Sequence, residues 1–110
     1  MSQESEEKIA QLQFLEQNLQ GLLSQKQMFQ SQLMETDNAI GELGSSKGDA
    51  YKFIGSILVL SDKTELQKEL KERKEIIDLR LKAIEKQEGS LRKKAEALQK
   101  EIMEILKGEK

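Results

Sequence analysis

Apolar side chains recur along two long segments of this chain in alternating steps of three and four residues, which places them on one face of an α-helix. In the first segment the steps continue without a slip, and only a lysine and a threonine interrupt the apolar series. This heptad pattern predicts a coiled-coil helix over residues 5–43, which ends where glycine and serine cluster. Its positions are Leu12, Leu15, Leu19, Leu22, Lys26, Phe29, Leu33, Thr36, Ile40 and Leu43.

The second half of the chain repeats the pattern and predicts a second helix over residues 65–107. Ser61, Asp62 and Thr64 are candidate N-caps for this helix, and Gly108 is a natural stop at its other end. The positions of the second series are Leu70, Lys74, Ile77, Leu81, Ile84, Glu88, Leu91, Ala95, Leu98, Ile102 and Ile105.

The composition favours long helices over a compact core. Charged residues make up 35% of the 110 residues and aromatic residues 4%, and the chain has no proline to interrupt a helix. The charged residues predict solvated helix faces with pairs four residues apart, such as Glu69–Arg73 and Glu96–Lys100. We therefore expect a mainly α fold and one domain over residues 1–110.

The segment between the helices, residues 44–64, has a different character. Its core "YKFIGSILVL" is rich in strand-forming residues, and Gly55-Ser56 suits a two-residue turn with glycine first. We predict a single β-hairpin that pairs Tyr51 with Leu60. A helix or an irregular turn is the alternative, although the β-branched residues and the glycine argue against a helix.

Both faces of this hairpin would be apolar except at Lys52, whereas a solvated hairpin normally shows one polar face. Two isolated strands are marginal in water, and their open edges invite pairing with another chain. We therefore predict that the hairpin assembles with the hairpins of other subunits. The assembly residues are Tyr51, Phe53, Ile54, Ile57, Leu58, Val59 and Leu60.

A short connection makes the two helices antiparallel, so positions whose numbers sum to about 110 should face each other. Both chain ends then meet at one tip of the coiled coil, which has more apolar residues than its seam needs. Such a surplus predicts a permissive binding surface, or else residues that cover a fraying helix end. The tip residues are Ile9, Leu12, Phe14, Leu98, Ile102, Met103, Ile105 and Leu106.

Several classes of function are disfavoured. The chain has no histidine or cysteine, so the usual metal clusters and imidazole bases are absent, and we expect neither an enzyme nor a cofactor. A net charge of −2 lacks the positive field that nucleic acid requires, and no apolar run is long enough for a membrane span. The polar, acidic N-terminal segment argues against a secretory signal, so we expect a cytoplasmic protein. A structural or tethering coiled coil remains an alternative.

The order of helix, apolar hairpin and helix resembles the prefoldin family, in particular its archaeal β-type subunits. The stretch "AYKFIGSILV" is similar to the family's Tyr-Lys-x-x-Gly-x-x-Leu-Val hairpin pattern. The flanking runs "LQGLLSQKQMFQSQLMET" and "ELKERKEIIDLRLKAIEKQEGSLRKKAEALQKEI" are similar to the family's two helices.

This resemblance implies a hexamer of two α and four β subunits, in which the hairpins form a β-barrel platform that carries the coiled coils. It also implies an ATP-independent chaperone. Its tips would bind unfolded client proteins and deliver them to a group II chaperonin.

Overall fold

The computed structural model describes residues 2–108, which form two long helices with a β-hairpin between them, as the sequence predicts. Helix α1 spans Gln3–Ser45 and helix α2 spans Lys63–Gly108. The strands β1, Ala50–Ile54, and β2, Ile57–Ser61, lie between the helices in sequence and form a two-stranded antiparallel sheet.

Hydrogen bonds at the N-terminal ends explain why both helices begin earlier than expected from their apolar series. At the start of α1, the backbone N–H of Ser5 donates to the hydroxyl oxygen of Ser2 over 3.2 Å. At the start of α2, the backbone N–H of Thr64 donates to a carboxylate oxygen of Asp62 over 3.0 Å. Asp62 is therefore the N-cap among the three candidates, and α2 begins at Lys63.

The helices contribute to two compact units. The terminal unit combines residues 2–27 with residues 82–108, and the hairpin unit is Met28–Leu81. In the terminal unit, Lys8 Nζ lies 2.5 Å from a Glu101 carboxylate oxygen, and Lys26 Nζ lies 3.4 Å from one of Glu88. The partner's number falls as the first number rises, so the two helices are antiparallel in this unit.

The hairpin unit shows the same antiparallel order. The Arg80 guanidinium carbon lies 5.8 Å from the centre of the Phe29 ring, and Lys74 Nζ lies 2.7 Å from a carboxylate oxygen of Asp37. The Lys63 ammonium donates to the carbonyl oxygen of Ser46 beside the hairpin. The two residue numbers in each of these contacts sum to between 109 and 111, close to the predicted register.

The predicted seam positions are the less exposed positions of both helices. All of the positions in both series are buried or half-buried, whereas most residues between them are exposed. The most deeply buried apolar residues of the seam are Ile77, Leu81, Ile84, Ala95 and Ile102, with exposed fractions between 5% and 8%. Two helices cannot enclose a wider core, so the stability of this chain depends on this narrow line of contacts.

The ion pairs differ from those expected within single helices. Glu69 binds Lys52 of the hairpin at 2.8 Å instead of Arg73, because the strand brings that ammonium group close. The ion pair formed within a helix joins Glu88 to Arg92 at 2.9 Å, and within residues 2–108 no ion pair joins Glu96 to Lys100. Both predicted pairs are therefore wrong.

Candidate functional surfaces

The hairpin has the register expected from its sequence. Tyr51 pairs with Leu60, and Ile54 pairs with Ile57 at the turn. Gly55 has a φ of 61°, in the left-handed region that favours glycine. A two-residue turn of this kind follows the right-handed twist of the strands, which holds the pairs in place.

The structure leaves every predicted assembly residue exposed. Phe53 keeps 72% of its surface, Ile57 65% and Leu60 62%, and even Val59, the least exposed of the set, keeps 38%. Because the side chains of opposed residues share a face, both faces of the sheet are apolar and uncovered in the single chain. Lys52 is the exception, since its ammonium group is held by Glu69 of α2.

The predicted tip residues divide into two groups in the terminal unit. Leu12, Leu98, Ile102 and Ile105 occupy seam positions and lie buried or half-buried between the helices, and Ile9 is also half-buried. The other three point outward. Phe14 is 63% exposed, Met103 58% and Leu106 38%. We call Phe14, Met103 and Leu106 the tip surface.

Two members of the tip surface, Phe14 and Met103, have different surroundings. Phe14 lines a groove of about 610 Å³ together with the small residues Ala10 and Ala97, and we call this the Phe14 groove. Met103 lines a smaller depression of about 380 Å³ among charged residues that include Glu96 and Lys100. Phe14 and Met103 therefore line different depressions, and Leu106 follows Met103 by three residues on α2.

Sequence reasoning missed the alanines of the Phe14 groove and several exposed apolar residues of the hairpin unit. Ala10 precedes Phe14 by one helical turn, so helical spacing was the signal that could have placed it there. Met34 and Leu79 are 67% and 66% exposed. They lie outside the heptad seam, and single exposed apolar residues of this kind are common on protein surfaces.

Ion pairs between the helices and within α2 shift the pKa values of some of the groups that form them. The hydrogen bond to Glu101 raises the pKa of Lys8, and the hydrogen bond to Asp37 raises the pKa of Lys74. The hydrogen bond from Arg92 lowers the pKa of Glu88, and Lys26 acts in the same direction. Each shift favours the charged form of its group, as expected for partners in an ion pair.

Neither helix, over the residues that the structure describes, has an apolar window suited to crossing a membrane.

Comparisons with known proteins agree with this architecture. The family described as "Prefoldin subunit" matches residues 6–109. The chain is 41% identical to the prefoldin subunit beta of Saccharolobus islandicus over 105 residues, which cover 94% of this chain and 83% of the relative. It is 40% identical to the prefoldin subunit beta of Methanothrix thermoacetophila over 100 residues, covering 89% of this chain and 83% of the relative.

A solved structure shows the same fold. The crystal structure of the prefoldin beta subunit from Thermococcus strain KS-1 superposes with a TM-score of 0.90 at 33% identity, and the match covers 96% of this chain and 94% of that one. Sequence and fold thus agree over nearly the whole chain. The chain belongs to the prefoldin family of chaperone subunits, and within it to the β type.

Proposed function

We propose that this chain is a subunit of an ATP-independent holdase in the cytoplasm. Its tip surface binds nonnative polypeptides, and its hairpin joins it to other subunits in a hexamer of two α and four β chains. The bound polypeptide is then delivered to a group II chaperonin.

The observation that carries client binding is the outward exposure of the tip surface. Phe14 and Met103 keep 63% and 58% of their surfaces exposed, so their apolar atoms are available to another chain. Flexible side chains such as methionine adapt to clients of varied shape. Each tip binds weakly, and several tips of one oligomer acting on the same client give useful avidity. Binding lowers the free concentration of unfolded chain by mass action and so slows aggregation.

Assembly is supported by the state of the hairpin. A two-stranded sheet with two apolar faces has a strong tendency to pair and to bury its surface against another chain. Partner hairpins of the same kind would supply both neighbouring strands and a covering face, and a closed barrel would remove the open edges. We propose that the seven exposed apolar residues of the hairpin form the interior and the contacts of such a platform.

The test of client binding replaces Phe14, Met103 and Leu106 together with serine. We expect the variant to assemble normally with an archaeal prefoldin α subunit but to suppress the aggregation of a chemically unfolded protein poorly, as measured by light scattering. The matched control replaces Met34, Ile76 and Leu79 with serine, because these residues are also exposed but belong to the hairpin unit. Full suppression by the tip variant would refute the proposal and favour a tethering coiled coil.

Delivery to a chaperonin has its own measurement. A fluorescently labelled client bound to the assembled oligomer should be released faster when a group II chaperonin is added. A release rate that does not depend on the chaperonin would contradict this step and leave client binding untouched.

A further inference from the structure

The terminal unit carries a second groove beside the Phe14 groove. It has a volume of about 490 Å³, a floor that includes Leu22 and Leu91, and Gly21 in its wall. We call it the Gly21 groove. No residue lines both grooves, but the two sets of lining residues succeed one another along the same side of each helix.

Helical spacing shows that the two grooves lie end to end. On α1 the lining residues follow in steps of three and four, the spacing that keeps side chains on one face. On α2 the lining runs back in the same steps from Ala97 to Gln87. The series on α1 includes Gln11, Phe14, Asn18, Gly21 and Gln25.

We call the Phe14 groove and the Gly21 groove together the joint groove. Its lining is almost free of charged residues, although these make up 35% of the chain. No charged residue lines the Gly21 groove, and Lys94 is the one charged residue that lines the Phe14 groove. A groove of similar volume in the hairpin unit, about 640 Å³, is lined by three glutamates and two arginines. A charged partner would therefore find few opposite charges in this groove. An uncharged partner would displace water from few charged groups when it binds there.

Carboxamide groups replace the charges around the Gly21 groove. Gln17, Asn18, Gln25 and Gln87 line it, and within residues 2–108 none of their side chains makes a hydrogen bond. Each carboxamide offers both a donor and an acceptor, as a peptide group does. An extended polypeptide has unpaired backbone N–H and C=O groups that these side chains can satisfy, whereas a helix has already paired its own.

Gly21 has no packing role within the chain that would explain its position. A methyl group added at Gly21 would meet no atom within 4 Å, and glycine inside a helix is destabilising relative to alanine. Gly21 therefore contributes backbone but no side chain to the lining of the groove.

From these observations we propose that the joint groove holds an extended, uncharged segment of the nonnative client. Apolar side chains of that segment pack on Phe14, Leu22 and Leu91, and its backbone is hydrogen-bonded by the carboxamides. This inference rests on the proposed client binding and specifies which part of a client is bound.

The test compares Gly21→Glu with Gly89→Glu. Both variants replace a helical glycine of the terminal unit that has open space around it with the same helix-favouring, charged residue, but Gly89 lines neither groove. The probe is a labelled 12-residue peptide of leucine, serine and threonine with blocked ends, and its binding to the full chain assembled with an α subunit is measured by fluorescence anisotropy. We expect Gly21→Glu to raise the Kd at least about fivefold, and Gly89→Glu to leave it within about twofold.

A second probe tests the role of the backbone. The same peptide with alternate backbone nitrogens methylated keeps its side chains but loses donors, so we expect it to bind wild-type protein at least about fivefold more weakly. Equal Kd values for the two glutamate variants, or for the two peptides, would overturn the groove assignment. If those Kd values are equal but the serine variant of the tip surface still loses its binding of unfolded protein, the proposed function stands without this groove. If the wild-type assembly binds neither peptide nor unfolded protein, both proposals fail.

Discussion

Replacing Phe53 with aspartate should prevent the chain from assembling with an α subunit. Phe53 lies in β1 opposite Leu58, and it is 72% exposed in the single chain. Its side chain therefore contributes little to the fold of the monomer, whereas a covering subunit would bury most of it.

The magnitude follows from the exposed surface. A phenylalanine side chain has about 200 Å² of accessible area, so the exposed fraction corresponds to about 140 Å². Burial of that area is worth about 3.5 kcal/mol at 25 cal/mol per Å². Loss of this burial energy alone would raise the dissociation constant of one interface about 300-fold. An aspartate in the same place would also lose its hydration when the interface forms, at a further cost on the order of several kcal/mol.

Light scattering coupled to size-exclusion chromatography gives the mass of the mixture with the α subunit. We expect the wild-type chain to form a hexamer and Phe53→Asp to remain as separate subunits, with the helical circular dichroism of the wild type. The control is Leu79→Asp, which places the same charge at a similarly exposed apolar position of α2. A hexamer formed by Phe53→Asp at the same concentrations would refute the reasoning about the hairpin.

Three further predictions concern the stability of the helical scaffold. Ile84→Ala should lower the free energy of unfolding by about 2–5 kcal/mol, because Ile84 is 6% exposed at the seam, and thermal denaturation followed by circular dichroism measures it. Asp62→Ala should cost about 1 kcal/mol in the same assay through loss of the α2 cap, whereas Asp62→Asn should retain most of it. The hydrogen bond from Arg92 lowers the pKa of Glu88 in the folded state. The Glu88 carboxylate therefore stabilises the fold above its unfolded-state pKa, and this stabilisation is lost as the pH falls through the folded-state pKa. Glu88→Gln should therefore lower the melting temperature at neutral pH and reduce its fall below about pH 4, and an unchanged pH profile would contradict the pairing.

The fold was predictable because each helix carries one strong periodic signal. The seam positions from Leu12 to Leu43 follow in steps of three and four without interruption, and the structure shows all of them buried or half-buried. The hairpin followed from equally local chemistry, since Gly55 supplies the positive φ that its turn needs. The helix ends were less predictable, because the capping hydrogen bonds of Ser2 and Asp62 lie outside the apolar pattern.

The surfaces were predictable only in part. The apolar series placed Ile102 in the seam and Phe14 outside it, but the predicted tip included both, together with Ile9, which the structure shows half-buried. The ion pair of Lys52 with Glu69 depends on where the hairpin meets α2, which no local pattern encodes. The joint groove was missed because glutamine and glycine carry no periodic signal, and its character becomes visible only when both helices are placed together.

The two exposed apolar surfaces suit different kinds of contact. The hairpin offers a continuous sheet with paired strands and open edges, so a partner can bury many side chains and hydrogen-bond the backbone at once. The tip surface offers three apolar side chains, one on α1 and two on α2. Counted in the same way as Phe53, burial of the exposed part of Phe14 is worth about 3 kcal/mol, and the exposed parts of Met103 and Leu106 add about 1–2 kcal/mol each. Association costs about 4–15 kcal/mol, so one tip surface alone would bind another chain only weakly. In the proposed function, assembly through the hairpin would therefore strengthen binding at the tips, because it would bring several weak sites to the same client.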